Sequence, residues 1–189
     1  MRTVDVETLE RITRDIFVAW KAPRGDATWV ASLLVRANLR GHDSHGVIRI
    51  PHYVNALKDG EVNPTPSIKT EMETPTIARI DGDKGFGQVV ARHGITLAIT
   101  KAKAQGLSAV TLRRTNHVGR LADYAEMAAV QGLIGMLWVN APTALNVAPW
   151  GGAARRLGTN PHAVAVPGPN ATVAMSHDFA TSVVAEGKL

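Results

Sequence analysis

The chain contains no cysteine, which excludes disulfides and thiolate metal sites and fits a reducing compartment. Long apolar runs are missing as well: no segment approaches the roughly 18 consecutive apolar residues of a membrane-spanning helix. Basic runs interleaved with aromatics, the pattern that binds single-stranded nucleic acid, are also absent. The formal charge is +5, but the basic residues are scattered and only Arg113-Arg114 and Arg155-Arg156 are adjacent. The charge therefore reads as a solvated surface. The N-terminal MRTVDVETLERITRDIF mixes acids with bases and lacks the apolar core of a signal peptide. The expectation is a cytoplasmic protein with neither a nucleic-acid nor a membrane partner. Three catalytic signatures are missing too: GxGxxG, a Walker A loop and HExxH do not occur.

What is present is an ordinary globular composition. In 189 residues, 45% are hydrophobic and 20% charged, enough to bury a sizeable core in one domain or slightly more. Val6, Leu9, Ile12, Ile16 and Ala19 recur at steps of three and four, predicting an amphipathic helix over 6–20. A second helix is expected from Asp26, as N-cap, to Leu39, with Gly41 as the left-handed residue that ends it. A third runs from Pro51 to Lys58 and stops at Gly60. Residues 63–75 carry three prolines and read as an extended connector. After it the pattern alternates: strand 76–81, helix 87–105, strand 107–113, helix 121–131, strand 133–140, and two short strands, 164–166 and 172–176, around a Pro-Gly-Pro-Asn turn. The expected fold class is α/β, with a helical N-terminal part over 1–75 and a layered α/β domain over 76–189.

Four polar stretches could carry chemistry. DGDKGFGQ follows a strand and precedes a helix, but its glycine spacing is not that of a dinucleotide-binding turn, and no acidic residue stands where a ribose would need one. A tight strand-to-helix turn is the better reading. RRTNHVGR, 113–120, lies where a strand ends, and ligands of open α/β sheets gather outside carboxyl ends of strands; His117 is thus well placed for function, the equal alternative being a loop histidine in water. SHDFATS, 176–182, also follows a strand, and Asp178, Thr181 and Ser182 could bind a ligand or cap a helix. The fourth, GHDSHGVIRIPHYV, places His42 and His45 three residues apart and His45 and Arg49 four apart, so a helical backbone would put each pair on one face. His45 would then act as acid or base while Arg49 holds a carboxylate through two parallel hydrogen bonds. A metal site at His42-Asp43, as in HD-type hydrolases, ranks lower because no second metal-binding cluster accompanies it. Ser44 and His45 are neighbours that would point apart on a helix, which argues against a serine–histidine dyad.

In combination these pieces resemble the type 2 malate/L-lactate dehydrogenase family, which includes ureidoglycolate and sulfolactate dehydrogenases and diketogulonate reductase. The resemblance rests on five motifs in order: DSHGVIRIPHYVNALKDG, DGDKGFGQVVARHG, RRTNHVGRLADYAE, PWGGAARRLGTNPHAVAVP and DFATSVVAEGK. It implies an oxidoreductase of 2-hydroxy and 2-oxo acids that uses NAD or NADP on a fold other than the Rossmann one, and a homodimer. Carried over by motif, it implies catalytic roles for His45, His117 and Arg49, with Arg49 and Ser44 near the substrate. Cofactor contacts fall on Asn140 and on Asp178, Phe179, Ala180, Thr181 and Ser182, and Thr159, in the GTNP turn near the same site, is implied to bind substrate. No metal is implied. Ala122 departs from the glycine usual there. The family's length implies that this chain carries its N-terminal half, leaving the cofactor domain incomplete at the C-terminus and an inactive fragment as the alternative.

Overall fold

The structure, a computed structural model, describes residues 3–141 and 145–182. Residues 183–188 of the last motif therefore lie outside the described residues. The chain divides into two compact units, 1–120 and 121–189.

The first unit begins with helix α1, Val6–Ala19, capped by Asp5, whose Oδ1 accepts the Thr8 amide at 2.8 Å. The buried side of α1 is formed by Thr13 and Phe17, whereas Val6 and Ile12 stay exposed. The predicted stripe was rotated toward them because the apolar arc is wider than the face that packs. Helix α2, Arg24–Leu39, is the centre of the unit, with Ala27, Val30, Ala31, Leu33, Leu34, Val35 and Ala37 all buried. It starts two residues before the predicted N-cap: Pro23 occupies the cap position, where its fixed φ suits a helix entry. Asp26 lies inside the first turn and pairs with Arg92 at 2.8 Å. Gly41 and Gly60 are left-handed, as the helix ends require. Helix α3, Ile50–Lys58, carries Pro51 in its first turn. Phe17, Val30, Leu34, Tyr53, Leu57, Phe86 and Val89 form the core, with rings of Phe17, Tyr53 and Phe86 between 5.4 and 6.2 Å apart.

The connector is not all coil. It contains β1, Lys69–Glu73, which pairs antiparallel with β2, Ile77–Gly85. All five β1 residues are exposed, so the strand lacks the apolar alternation that marks a half-buried one. Its attachment is partly ionic: Glu71 bonds Arg79 at 3.1 Å and also pairs with Arg113. Strand β2 runs parallel to β3, Ala109–Thr115, and helix α4, Gly87–Gln105, links them. Gly94 lets α4 close on the Leu112 side chain.

The second unit holds α5, Ala122–Ala129, and an antiparallel sheet of β4, Gly135–Trp138, β5, His162–Pro167, and β6, Val173–Phe179. A Cβ at Gly135 would strike the Ala125 backbone, so α5 packs directly on the sheet. Ala163 and Ala165 are fully buried in β5.

Candidate active site

The stretch from Asp43 to Arg49 is two 3₁₀ turns, Asp43–His45 and Val47–Arg49, broken by Gly46 in extended conformation. Asn38 of α2 imposes this shape. Its amide nitrogen donates to Asp43 at 2.5 Å and its carbonyl accepts the Val47 amide at 2.9 Å. A Cβ on Gly46 would collide with that same Asn38 side chain. The kink alters the geometry read from spacing. Ser44 and His45 do not point apart: Ser44 Oγ lies 2.9 Å from His45 Nδ1. The expectation failed because it assumed α-helical rotation per residue, and the backbone here is not α-helical. Arg49 Nε donates to the Ser44 carbonyl at 2.7 Å, which ties the two turns together.

The second segment arrives at the end of β3. Asn116 fastens it, its Nδ2 donating to the carbonyls of Lys84 at 2.7 Å and of Glu61 and Gly85 at 3.2 Å. Gly87 has no side chain because the carbonyl oxygens of Asn116 and His117 occupy the place of its Cβ. The glycines of DGDKGFGQ thus serve close backbone approach, and the whole turn seats the TNH segment. Its carboxylates are consumed locally: Asp83 accepts from Ser67 N and Asn63 Nδ2 at 3.0 Å and from Arg114 at 2.9 Å.

His117 is brought beside His45, with ring centroids 5.4 Å apart, across 72 residues of sequence from His45 to His117. Its Nδ1 lies 2.6 Å from the Tyr53 hydroxyl, which in turn receives Gln88 Nε2 at 2.7 Å. Tyr53 and Gln88 are buried, and burial raises the Tyr53 phenol above its ordinary range. Neither residue is evident from spacing: Tyr53 reads as a core residue of α3, and Gln88 sits behind three glycines. The His117 imidazole is pushed down to about 3, first by desolvation and then by the positive potentials of His45, Arg49 and His52. In the unliganded protein His117 is therefore neutral. The Arg49 guanidinium beside the histidines makes this cluster suited to an anion. His42 stands 6.5 Å from His45 by ring centroid, and His52 lies against Tyr53 with ring centroids 6.2 Å apart. Among the described residues no three histidine, aspartate or glutamate side chains gather to hold a metal.

The remaining expected residues belong to the second unit. Asn140 is exposed just beyond β4. Thr181 donates from both its amide and its hydroxyl to the Thr159 carbonyl, at 2.9 and 3.0 Å, joining the GTNP turn to the DFATS segment. Asp178 Oδ2 accepts the Ala122 amide at 2.9 Å, so it caps α5 from β6. Ala122 is buried there. Phe179, Ala180 and Ser182 surround these contacts in sequence, and Phe179 is 40% exposed. Its ring lies 5.6 Å from His162, which stacks on Trp138 at 5.0 Å. The exposed Asn140 amide and a row of rings exposed at Trp138 and Phe179 suit a dinucleotide, which is built of flat rings, an amide and phosphates; the residues present fit such a group.

Comparison with known proteins identifies the family. Residues 4–189 match the family model described as malate/L-lactate dehydrogenase. The L-sulfolactate dehydrogenase of Methanocaldococcus jannaschii is 42% identical over 183 residues, covering 97% of this chain and 52% of that protein. The malate dehydrogenase of Pyrococcus abyssi is 46% identical over 167 residues, 88% of this chain and 45% of that one. The solved malate dehydrogenase of Pyrococcus horikoshii OT3 superposes with a TM-score of 0.92 at 41% identity, over 99% of this chain and 53% of its own. The chain spans about half the length of the curated relatives it matches.

Proposed function

The chain belongs to the malate/L-lactate dehydrogenase family, and from that premise we propose that it serves an NAD(P)-dependent dehydrogenase interconverting 2-hydroxy acids and 2-oxo acids. The observation that carries the reading is the convergence of His45, Arg49 and His117, with ring centroids of the two histidines 5.4 Å apart. Arg49, a planar cation with paired donors, holds the substrate carboxylate. The imidazoles meet the C2 oxygen and exchange the proton that accompanies reduction or oxidation there. A nicotinamide cofactor, when bound, supplies or accepts the hydride at C2. Asn140 and the 178–182 segment are the residues that would hold it. A bound substrate carboxylate also offsets the positive potential that depresses His117. The same reading includes a homodimer in the cytoplasm, checked by light scattering and by fractionation. Among the described residues no helix is long and apolar enough to cross a membrane.

The test is oxidation of NADH or NADPH, followed by absorbance, with oxaloacetate, 3-sulfopyruvate and pyruvate. These are the 2-oxo partners of malate, sulfolactate and lactate, hydroxy acids in the names of relatives. Turnover of at least one, abolished by Arg49→Ala, is the expected result. No turnover with either cofactor and no thermal shift by any of the acids would refute the proposal.

A further inference from the structure

The two histidines face different hydrogen-bonding partners, and that difference divides their labour. Resting on the dehydrogenase reading above, we propose that Tyr53 and Gln88 are positioning residues that hold His117 as a neutral hydrogen-bond donor, leaving His45 as the imidazole that carries the proton.

The polarity of one chain of hydrogen bonds sets the tautomer of His117. Gln88 Nε2 can only donate, so at 2.7 Å it fixes the Tyr53 oxygen as an acceptor. The Tyr53 hydroxyl hydrogen is then directed to the other neighbour, His117 Nδ1, at 2.6 Å. A ring nitrogen that accepts a hydrogen bond bears no proton, so the neutral imidazole carries its proton on Nε2. Reversing the chain would require Gln88 to turn its amide. Among the described residues its buried Oε1 has no partner, and the reversal would instead put the two N–H groups of the amide in that place without one. Orphaned buried N–H groups are the rarer and costlier of the two.

The environment of His117 reinforces this state. The groups that face it are Tyr53, kept protonated by burial, and the cationic or titratable His45, Arg49 and His52. Among the described residues none of these groups is an anion that would stabilise an imidazolium. His117 thus presents Nε2–H to the substrate oxygen as a fixed donor, in the manner of a neutral electrophilic histidine. His45 differs. Its Nδ1 faces the Ser44 hydroxyl at 2.9 Å, a group that donates to the neutral ring and accepts from the protonated one. His45 can therefore gain and lose a proton without leaving a buried group unsatisfied. In reduction of the 2-oxo acid, His45 would give its proton to the C2 oxygen and His117 would bond that oxygen throughout, the hydride being what a bound nicotinamide would supply.

The test pairs a readout of protonation with one of rate, on the whole 189-residue chain. Long-range nitrogen–proton spectra of the ¹⁵N-labelled protein report the tautomer of each imidazole. The expected spectrum shows His117 as the Nε2–H tautomer without titration through neutral pH, and Tyr53→Phe converts it to a mixture of tautomers. An Nδ1–H tautomer, a His117 titration near neutrality, or a spectrum unchanged by Tyr53→Phe would overturn the inference. In the rate assay, His117→Gln keeps a donor near the Nε2 position and loses less rate than His117→Ala. His45→Gln loses on the order of 10²- to 10⁴-fold and flattens the pH profile. The reverse ranking overturns the division of labour. Should no 2-oxo acid be reduced at all, the dehydrogenase reading fails, and the tautomer of His117 still decides the inference about Tyr53 and Gln88.

Discussion

Gly87→Ala isolates the link between the glycine-rich turn and the chemistry. The added Cβ would meet the carbonyl oxygens of Asn116 and His117. Both are backbone atoms, so no rotamer change relieves the overlap, and the segment or the helix start must retreat on the order of 1 Å. Retreat is opposed by the three acceptors that hold Asn116 Nδ2. Overpacking of this kind costs about 1–3 kcal/mol, and the rigidity of both partners places Gly87→Ala at the upper end. Alanine recovers up to about 1 kcal/mol of helix propensity relative to glycine, so the net is roughly 2 kcal/mol. For a chain of this length that lowers the melting temperature by about 4–8 °C. A shift on the order of 1 Å at a reacting group also costs on the order of 10²-fold in rate. Gly94→Ala is the matched control, because its Cβ meets only the flexible Leu112 side chain and lies away from His117. Differential scanning calorimetry and the His117 imidazole spectrum measure both effects. A Gly87→Ala protein as stable as Gly94→Ala, with an unmoved His117 signal, would refute the claim that this glycine seats the histidine.

Asn38→Ala removes the bonds to Asp43 and Val47 and leaves an amide short of a partner, at a cost of about 1–3 kcal/mol; urea unfolding measures it, and loss of the Ser44–His45 contact should accompany it. Asp178→Ala uncaps α5 and should destabilise the second unit by about 0.5–2 kcal/mol, against Asp178→Asn, which keeps an acceptor and loses less. Arg49→Lys keeps the charge but not the paired donors, so KM for the 2-oxo acid should rise more than kcat falls. His117 titrates about 3 when folded against 6.5 when unfolded; the unfolded state therefore binds the extra proton, and stability falls as pH drops from about 6.5 toward 3. His117→Gln should flatten that part of the stability curve, measured by thermal unfolding across the range.

How legible the molecule was depends on how local each cause is. Helices α2 and α3 were readable because their apolar residues and closing glycines act within a few turns of chain. Strand β1 was not, because KTEME is an exposed strand held by pairing and by Glu71 with Arg79 and Arg113, and none of those partners is adjacent in sequence. The carboxyl end of β3 could be named as a place for His117 from the strand-then-loop pattern alone. Its meeting with His45 could be expected only through resemblance, since spacing says nothing about residues so far apart. The Ser44–His45 contact inverted the helical expectation because Asn38, on another helix, forces two 3₁₀ turns around Gly46. Least legible of all is the protonation of His117. It follows from which atom of Gln88 faces Tyr53, an orientation decided by burial 35 residues away from Tyr53. A motif identifies which side chains reach a substrate; the direction in which they pass a proton is set by partners that the motif does not contain.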